Sequence, residues 1–358
     1  MVHKIIYISL ILLLINACDK KEYSDFNPLS DGCDIPSNII QDVSGTCCEY
    51  TDLDCNEICH GTMQVDQCNI CGGDNASCDI IGCNDPNAEN YDENSNENSN
   101  CIYDETLPEG WSLVWNDEFN SENLDLAKWD YQLGTGSQYG LVGWGNNEEQ
   151  YYTDEINNLY FDTCDGDKNC LIIKAYHQTF ESSEYTSARI KSAGSGVRTY
   201  GRIDVRAKLP SAEGTWPAIW MLPQSITYGG WPASGEIDIM EHVGCNLGTI
   251  HGSIHCSDYN HQDGTQQTST VSNINVEEFH IYRIDWDENY IKWYVDDTIF
   301  FEYANDGSGL NSWPFDVDFY LIINLAIGGD WGGFCSFSSS SFPQSMEIDY
   351  VRIYESSN

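Results

Sequence analysis

The feature that most constrains the fold is a series of short β-rich runs that begins near Leu107 and continues to the end of the chain. Val, Ile, Tyr, Phe and Trp alternate with polar residues in these runs, and Gly, Asn and Asp separate them. The clearest runs are 171–176, 202–209, 281–286, 291–295, 319–325 and 346–354. No amphipathic helical period lies between them, so the pattern predicts an all-β domain of many antiparallel strands. The pattern by itself leaves a sandwich, a barrel and a propeller open.

The charge of the chain excludes whole classes of partner. It has 57 acidic and 15 basic residues, which gives a formal net charge of −42. A surface this negative repels nucleic acid and anionic membranes, so we expect no nucleic-acid partner. The apolar fraction of 41% is enough for one large core, and 13% of the residues are aromatic. These properties favour a neutral ligand.

The N-terminus indicates export. Lys4 precedes the apolar run 5–15, which is too short to span a membrane and is typical of a signal peptide. The run ends at Ile15-Asn16-Ala17-Cys18, which resembles the lipobox of bacterial lipoproteins. This resemblance implies removal of residues 1–17 and lipidation of Cys18. The mature chain would be an outer-membrane lipoprotein at the cell surface, touching the membrane only through that lipid; an ordinary signal peptide with a chance cysteine is the alternative.

The cysteines divide the exported chain into three segments. Residues 18–32 form a polar tether, residues 33–105 hold ten of the sixteen cysteines with almost no apolar residues, and residues 106–358 form the main domain. In an oxidising compartment, a segment so poor in core residues is expected to be stapled by disulfides. In the main domain, Cys164 and Cys170 bracket a short loop and predict a disulfide. The sequence does not pair Cys245, Cys256 and Cys335.

Three carboxylates on one run predict a catalytic site. In the sequence 235–241, Glu236 and Asp238 share a face of a strand, whereas Glu241 should point to the other face because side chains alternate. A β-bulge near Met240 would return Glu241 to the same face, and such bulges are common beside active sites. Carboxyls packed together raise the proton affinity of at least one of them. We therefore expect one ionised and one protonated carboxyl.

Tryptophans and a histidine surround these acids in the sequence. Trp216 and Trp220 lie four residues apart, so they share a face of a strand, and Trp231 lies in a loop just before the acid run. Flat aromatic rings suit the binding of sugar rings. A hairpin closing at 245–248 would put His255 within one residue of the partner of Asp238, which predicts a contact with Asp238 or with sugar.

The main domain resembles a known family of enzymes. Its matching stretches, in chain order, are 113–120, 143–148, 185–190, 216–223, 231–241, 325–333 and 348–354. Over residues 108–355 they resemble glycoside hydrolase family 16, in its laminarinase-like (endo-β-1,3-glucanase) branch. The resemblance implies a β-jelly-roll sandwich with an open cleft, hydrolysis with retention of configuration, no cofactor for catalysis and a monomer.

The resemblance also implies roles for individual residues. Glu236 is the expected nucleophile, Glu241 the general acid and then base, and Asp238 assists between them. Asn146 and Trp331 lie in matching stretches and join the three tryptophans as expected sugar contacts. A structural calcium ion is implied away from the cleft, through Glu118 and Asp349.

The sequence therefore predicts a surface-anchored retaining endo-glycosidase that hydrolyses neutral β-1,3-glucan of the laminarin type. One alternative is a hydrolase of the same family with another β-glycan as substrate, namely agar, carrageenan or mixed-linkage glucan. Another is a surface lipoprotein that binds glycan without cutting it. Loss of the three acids is typical of non-catalytic relatives, and here all three are present.

Overall fold

The computed structural model describes residues 110–164, 166 and 168–357, together with 39–41, 47–49, 58, 62 and 108. The chain divides into two units, Met1–Asp79 and Ile80–Asn358. In the first unit, β1 (Ile39–Gln41) pairs antiparallel with β2 (Cys47–Glu49). The predicted signal peptide, Cys18, the tether and almost all of the Cys-rich segment lie outside the described residues. Those assignments and the boundary at 105/106 stay predictions.

The second unit is built from two β-sheets. We call the first the cleft sheet, with strand order β15-β14-β13-β12-β19-β9-β4 and β10 beside β19. Its strands are β4 (Trp129–Tyr131), β9 (Arg189–Ser192), β10 (Val197–Arg198), β12 (Thr215–Pro223), β13 (Glu236–Glu241), β14 (Ile250–His255), β15 (Gln267–Val271) and β19 (Phe319–Ile327).

We call the second the back sheet, with strand order β18-β17-β16-β11-β20-β7-β8-β5, β3 beside β20 and β6 beside β7. Its strands are β3 (Trp111–Asp117), β5 (Gln150–Tyr152), β6 (Leu159–Thr163), β7 (Asn169–Phe180), β8 (Ser183–Ser187), β11 (Gly201–Lys208), β16 (His280–Trp286), β17 (Tyr290–Val295), β18 (Thr298–Ala304) and β20 (Gln344–Ser356). Strands β5 and β8 pair in parallel, and the other described pairs are antiparallel.

Alternation of side chains along the strands joins the two sheets into a sandwich. In β11, for example, Ile203 and Val205 are buried in the core, whereas the intervening Asp204 faces outward and pairs with Arg283 of β16. One hydrophobic cluster takes side chains from both sheets, including Ile237 of β13 and Trp293 of β17. The predicted antiparallel β-sandwich of jelly-roll type is therefore confirmed, and each of the six predicted runs is a strand.

Helical structure is minimal in the described part of the chain. The α-helix α1 (Gly329–Gly332) is one turn long and follows β19 directly. Within the described residues, no helix has the length and apolarity needed to cross a membrane.

Two disulfides are present among the described cysteines. Cys164 bonds to Cys170 across the β6–β7 hairpin, as predicted. Cys245 bonds to Cys335, a pairing between residues 90 positions apart that the sequence left open. Cys256 is buried and forms no disulfide.

Candidate active site

The acid strand β13 contains the predicted bulge. Asp238 pairs with Ser253 of β14 and Glu241 pairs with His251, so Ile239 and Met240 together face the single residue Gly252. Both of these neighbouring side chains are buried in the hydrophobic core. The alternation of faces therefore breaks between them, which is the break that the sequence predicts. As a result, Glu236, Asp238 and Glu241 all line the same cleft.

A tryptophan of the back sheet supports the bulge from inside the sandwich. The indole N–H of Trp293 donates to the main-chain oxygen of Asp238 at 2.8 Å, although Trp293 belongs to β17. A Cβ atom on Gly252 would lie 2.7 Å from Cδ1 of Trp293, which is too close for any side chain. Gly252 thus leaves the space that Trp293 needs to reach the bulged strand.

Glu236 and Asp238 share a tight set of neighbours. The indole N–H of Trp231 donates to Oε2 of Glu236 at 2.7 Å. His255 Nε2 lies 3.2 Å from Oδ2 of Asp238 and 4.0 Å from Oε1 of Glu236. Asp238 is 2% exposed and His255 is 5% exposed, so this contact is shielded from solvent. The predicted contact between His255 and Asp238 is present.

The register of the hairpin differs in detail from the sequence expectation. His255 pairs with Glu236, and the partner of Asp238 is Ser253, two residues away. The prediction that His255 lies within one residue of the partner of Asp238 is wrong, because the extra residue in the bulge shifts the pairing on that side of β13. His255 still reaches Asp238, because positions two apart on β14 lie on the same face.

Glu241 has a different environment at the other end of the acid strand. The indole N–H of Trp216 donates to Oε1 of Glu241 at 3.1 Å. The ring of Trp331 packs edge-on against Trp216, with ring centroids 5.5 Å apart, and against His251 at 4.8 Å. The three rings form an aromatic wall beside Glu241.

Burial gives the three carboxyls unusual proton affinities. Burial raises the pKa of Glu236 to about 8, with a further contribution from the charge of Asp238. Burial also raises the pKa of Asp238 to about 7. The pKa of Glu241 lies well above its usual range, first because of burial and then because of the charges of Asp238 and Glu236. Near neutral pH the cluster therefore retains protons.

The cleft has a volume of about 650 Å³ and brings together most of the predicted site residues. Its lining includes the three acids and Asn146, Trp216, Trp220, His255 and Trp331. Trp231 lies at the rim, where it is 36% exposed while its indole N–H contacts Glu236.

A network that the sequence analysis did not find fixes the opposite side of the cleft. The indole N–H of Trp220 donates to Asn324 at 2.7 Å, Asn324 donates to the hydroxyl of Tyr152 at 3.1 Å, and that hydroxyl donates to Glu148 at 3.3 Å. The guanidinium of Arg189 lies 4.2 Å from the ring centroid of Trp144 and 4.8 Å from that of Trp220. Trp220 is therefore held by its indole nitrogen and covered by a cation.

These residues come from four separate parts of the chain, which explains why the sequence did not group them. Burial raises the pKa of Glu148, while the charge of Arg189 opposes that rise. Glu148 and Arg189 both lie inside stretches that carry the family resemblance, so the sequence could have indicated them as site residues. For Asn324 and His251, which line the cleft from β19 and β14, we find no comparable signal.

Glu118 and Asp349 do not fit the predicted calcium site through their side chains. Both oxygens of Glu118 accept hydrogen bonds from Arg352 at 2.9 Å. Asp349 accepts a hydrogen bond from Arg206 and lies 3.8 Å from the ammonium of Lys168. Cationic side chains thus pair with both carboxylates, so these two side chains do not fit a calcium ion in this structure.

Among the described residues, Glu236, Asp238 and His255 form a group whose ligand atoms lie within 4.8 Å of one another. This group coincides with the acid cluster, and its geometry is accounted for by the contacts described above.

Comparisons with known proteins match the domain that contains this cleft. The family model described as Glycosyl hydrolases family 16 matches residues 146–352. The beta-glucanase of Rhodothermus marinus is 44% identical over 253 residues, which cover 68% of this chain and 85% of that protein. Glucan endo-1,3-beta-glucosidase A1 of Niallia circulans is 38% identical over 261 residues, which cover 69% of this chain and 38% of that protein.

Solved structures agree with the sequence relatives. The X-ray structure of the laminarinase from Rhodothermus marinus matches with a TM-score of 0.63 at 44% identity, covering 68% of this chain and 97% of that one.

The electrostatic coupling of the acids can be tested by titration. Replacing Asp238 by Asn removes a negative charge that raises the pKa of both Glu236 and Glu241, so both pKa values should fall. The measurement is a ¹³C NMR titration of the Glu carboxyl carbons. Asp330→Asn is the matched control, because Asp330 lines the same cleft but binds Asn147. Unchanged Glu236 and Glu241 titrations in Asp238→Asn would contradict the coupling.

Proposed function

The chain belongs to glycosyl hydrolase family 16, as its motifs predicted, and on that premise we propose that it is a retaining endo-hydrolase of neutral β-1,3-glucan. The observation that carries the proposal is the bulged strand β13, which presents Glu236, Asp238 and Glu241 to one open cleft. Three acids with shared protons supply the nucleophile and the proton donor that glycoside hydrolysis needs. Because both reacting groups are carboxyls, the reaction requires no cofactor.

In the first step, the ionised form of Glu236, which is the minor form near neutral pH because its pKa is raised to about 8, attacks the anomeric carbon and the bond to the leaving oxygen breaks. Protonated Glu241 donates its proton to that oxygen, and the product is a glycosyl ester on Glu236 with a free sugar end. The hydrogen bond from Trp231 and the nearby His255 orient the carboxylate of Glu236 for attack. The high pKa of Glu241 keeps its proton in place until the leaving oxygen takes it.

In the second step, ionised Glu241 takes a proton from water while the water oxygen attacks the anomeric carbon. The ester bond to Glu236 breaks, which restores the ionised nucleophile, and two displacements at one carbon retain its configuration. Asp238 lies between the two glutamates in sequence and raises the proton affinity of both. Its charge therefore helps Glu241 to recover a proton before the next cycle.

The substrate class follows from aromatic surface and charge. Trp216, Trp220 and Trp331 present ring surfaces in the cleft, which suit neutral sugar rings. The net charge of −42 disfavours heavily sulfated polymers such as carrageenan. The names of the relatives, a beta-glucanase, an endo-1,3-beta-glucosidase and a laminarinase, agree with β-1,3-glucan.

Two alternatives differ in testable ways. A hydrolase of a related substrate, such as mixed-linkage glucan or agar, would use the same three acids. The extra residue at Met240 argues against the lichenase-type branch of the family. A protein that binds glycan without cutting it would have no need for the hydrogen-bonded and electrostatically coupled acids of this cleft.

The assignment of the nucleophile is tested by Glu236→Gln. Loss of the attacking oxygen anion should lower kcat by at least roughly 10⁴-fold while glycan binding persists. The full chain is incubated with laminarin, mixed-linkage glucan, agarose and carrageenan, and new reducing ends and the first anomer released are recorded. Glu302→Gln is the matched control, because it makes the same change at an exposed glutamate of the back sheet. Activity that survives in Glu236→Gln would reject the nucleophile, and a wild-type chain that cuts none of the glycans would favour the binding protein.

We further propose that the enzyme is tethered to the outer membrane, at the cell surface, through a lipid on Cys18. Cys18→Ala should abolish incorporation of labelled palmitate, because the sulfur of Cys18 would carry the acylated glycerol through a thioether bond. Cys33→Ala, which changes a cysteine outside the lipobox, should keep the label. Palmitate on the Cys18→Ala chain would contradict the anchor.

A further inference from the structure

The turn that carries Trp331 depends on neighbours for its position. Trp331 lies in α1, a single helical turn in the connection 328–343 between β19 and β20. One turn of helix has no appreciable stability of its own, because helix nucleation is unfavourable. Contacts with the rest of the domain must therefore fix where the Trp331 ring lies.

Hydrogen bonds fix the beginning of this turn. Gly328 donates its N–H to the oxygen of Gly214 at 2.9 Å, and Asp330 donates its N–H to the oxygen of Asn146 at 2.8 Å. The side chain of Asn147 also donates to Asp330 at 2.9 Å. These bonds tie the start of α1 to the loops beside the cleft.

A covalent bond fixes the end of the turn. Cys335 follows α1 by three residues and is bonded to Cys245, which lies four residues after Glu241. The sulfur of Cys245 also lies 3.3 Å from the oxygen of Gly332, the last residue of α1. Phe334, between α1 and Cys335, is largely exposed and adds little packing.

The partner of this bond is itself rigid. Cys245 belongs to the short turn Gly244–Asn246, and a Cβ on Gly244 would lie 1.8 Å from the oxygen of Ala212. That close approach leaves the turn no room to shift towards β12. His242, between the turn and the acid strand, is fully buried and accepts a hydrogen bond from the N–H of Gly248.

We propose that the Cys245–Cys335 disulfide is a positioning element of the active site: it holds Trp331 against Trp216 and His251, and through Trp216 it fixes the orientation of Glu241. The chain of contacts is continuous, from the disulfide to α1, from Trp331 to Trp216 at 5.5 Å, and from the Trp216 indole to Glu241 at 3.1 Å. This inference rests on the proposed function, because it assigns the aromatic wall to the side of the cleft where Glu241 acts. If the proposal holds, full activity requires that Cys245 and Cys335 be oxidised to the disulfide.

The test compares two disulfide-free variants of the full chain. Cys245→Ser with Cys335→Ser should lower kcat/KM on laminarin about tenfold, mainly through a higher KM, because a displaced contact beside the reacting groups weakens productive binding. Cys164→Ser with Cys170→Ser is the matched control, since that disulfide closes a hairpin of the back sheet. It should leave kcat/KM unchanged within about twofold. Thermal unfolding of both variants is measured first, and rates are taken well below both midpoints.

A second variant separates positioning from a general loss of stability. If the disulfide acts through Trp331, then removing the disulfide in a Trp331→Ala background should change kcat/KM by less than about twofold. The hydrogen bond from Trp216 lowers the pKa of Glu241, so losing this bond should raise that pKa. The alkaline limb of the kcat–pH profile should therefore move to higher pH in the disulfide-free enzyme. Fully additive effects, or an unchanged KM and pH profile, would overturn the proposal.

Hydrogen exchange tests the same proposal without any substrate. Amides of residues 328–335 should exchange faster in the Cys245→Ser, Cys335→Ser chain than in the wild type or in the Cys164→Ser, Cys170→Ser control. Unchanged exchange there would overturn the inference while leaving the proposed hydrolysis intact. The converse result is also possible to recognise. If the wild type cuts no β-1,3-glucan but the disulfide-free chain exchanges faster at 328–335, the proposed substrate is wrong and the positioning role stands.

Discussion

Ile239 and Met240 are neighbours on one strand, and yet both side chains are buried in the core of the sandwich. Burial of two such side chains is worth several kcal/mol, on the order of 1.5–3 kcal/mol each, which holds the bulge in place. Because the core fixes this irregularity, Glu241 turns to the same cleft as Glu236 and Asp238. Gly252 and Trp293 complete the support from the neighbouring strand and from the other sheet.

The bulge has an electrostatic consequence that defines the chemistry. Three carboxyls in one partly buried cluster cannot all be ionised near neutral pH, so protons remain among them. Each glutamate accepts one indole N–H hydrogen bond, Glu236 from Trp231 and Glu241 from Trp216, while the charges of both Asp238 and Glu236 raise the pKa of Glu241. The same fold feature therefore gives two glutamates of one strand different electrostatic environments, as the proposed roles of nucleophile and acid require.

The sequence was sufficient for features that depend on local periodicity. The strand pattern predicted an all-β antiparallel domain, which the family resemblance narrowed to a jelly-roll sandwich. The broken alternation in 235–241 predicted the bulge and the shared face of the acids. It was insufficient where pairing partners lie far apart in the chain. The Cys245–Cys335 bond and the path from Trp220 through Asn324 to Glu148 depend on tertiary contacts that no local pattern encodes. The side chains of Glu118 and Asp349 do not fit the predicted calcium ion, because the arginines that pair with them come from distant positions.

The most direct test of the central claim is to trap the covalent intermediate. The probe is an activated laminaribioside with fluorine at carbon 2 of the reacting sugar, which slows both formation and hydrolysis of the glycosyl ester. A good leaving group lets formation proceed, so the ester accumulates. Peptide mapping by mass spectrometry then locates the sugar. The account predicts the added mass of one fluorinated disaccharide on Glu236, carried by the peptide that contains the bulged strand. A label on Glu241 or Asp238, or a product released with inverted configuration, would contradict it.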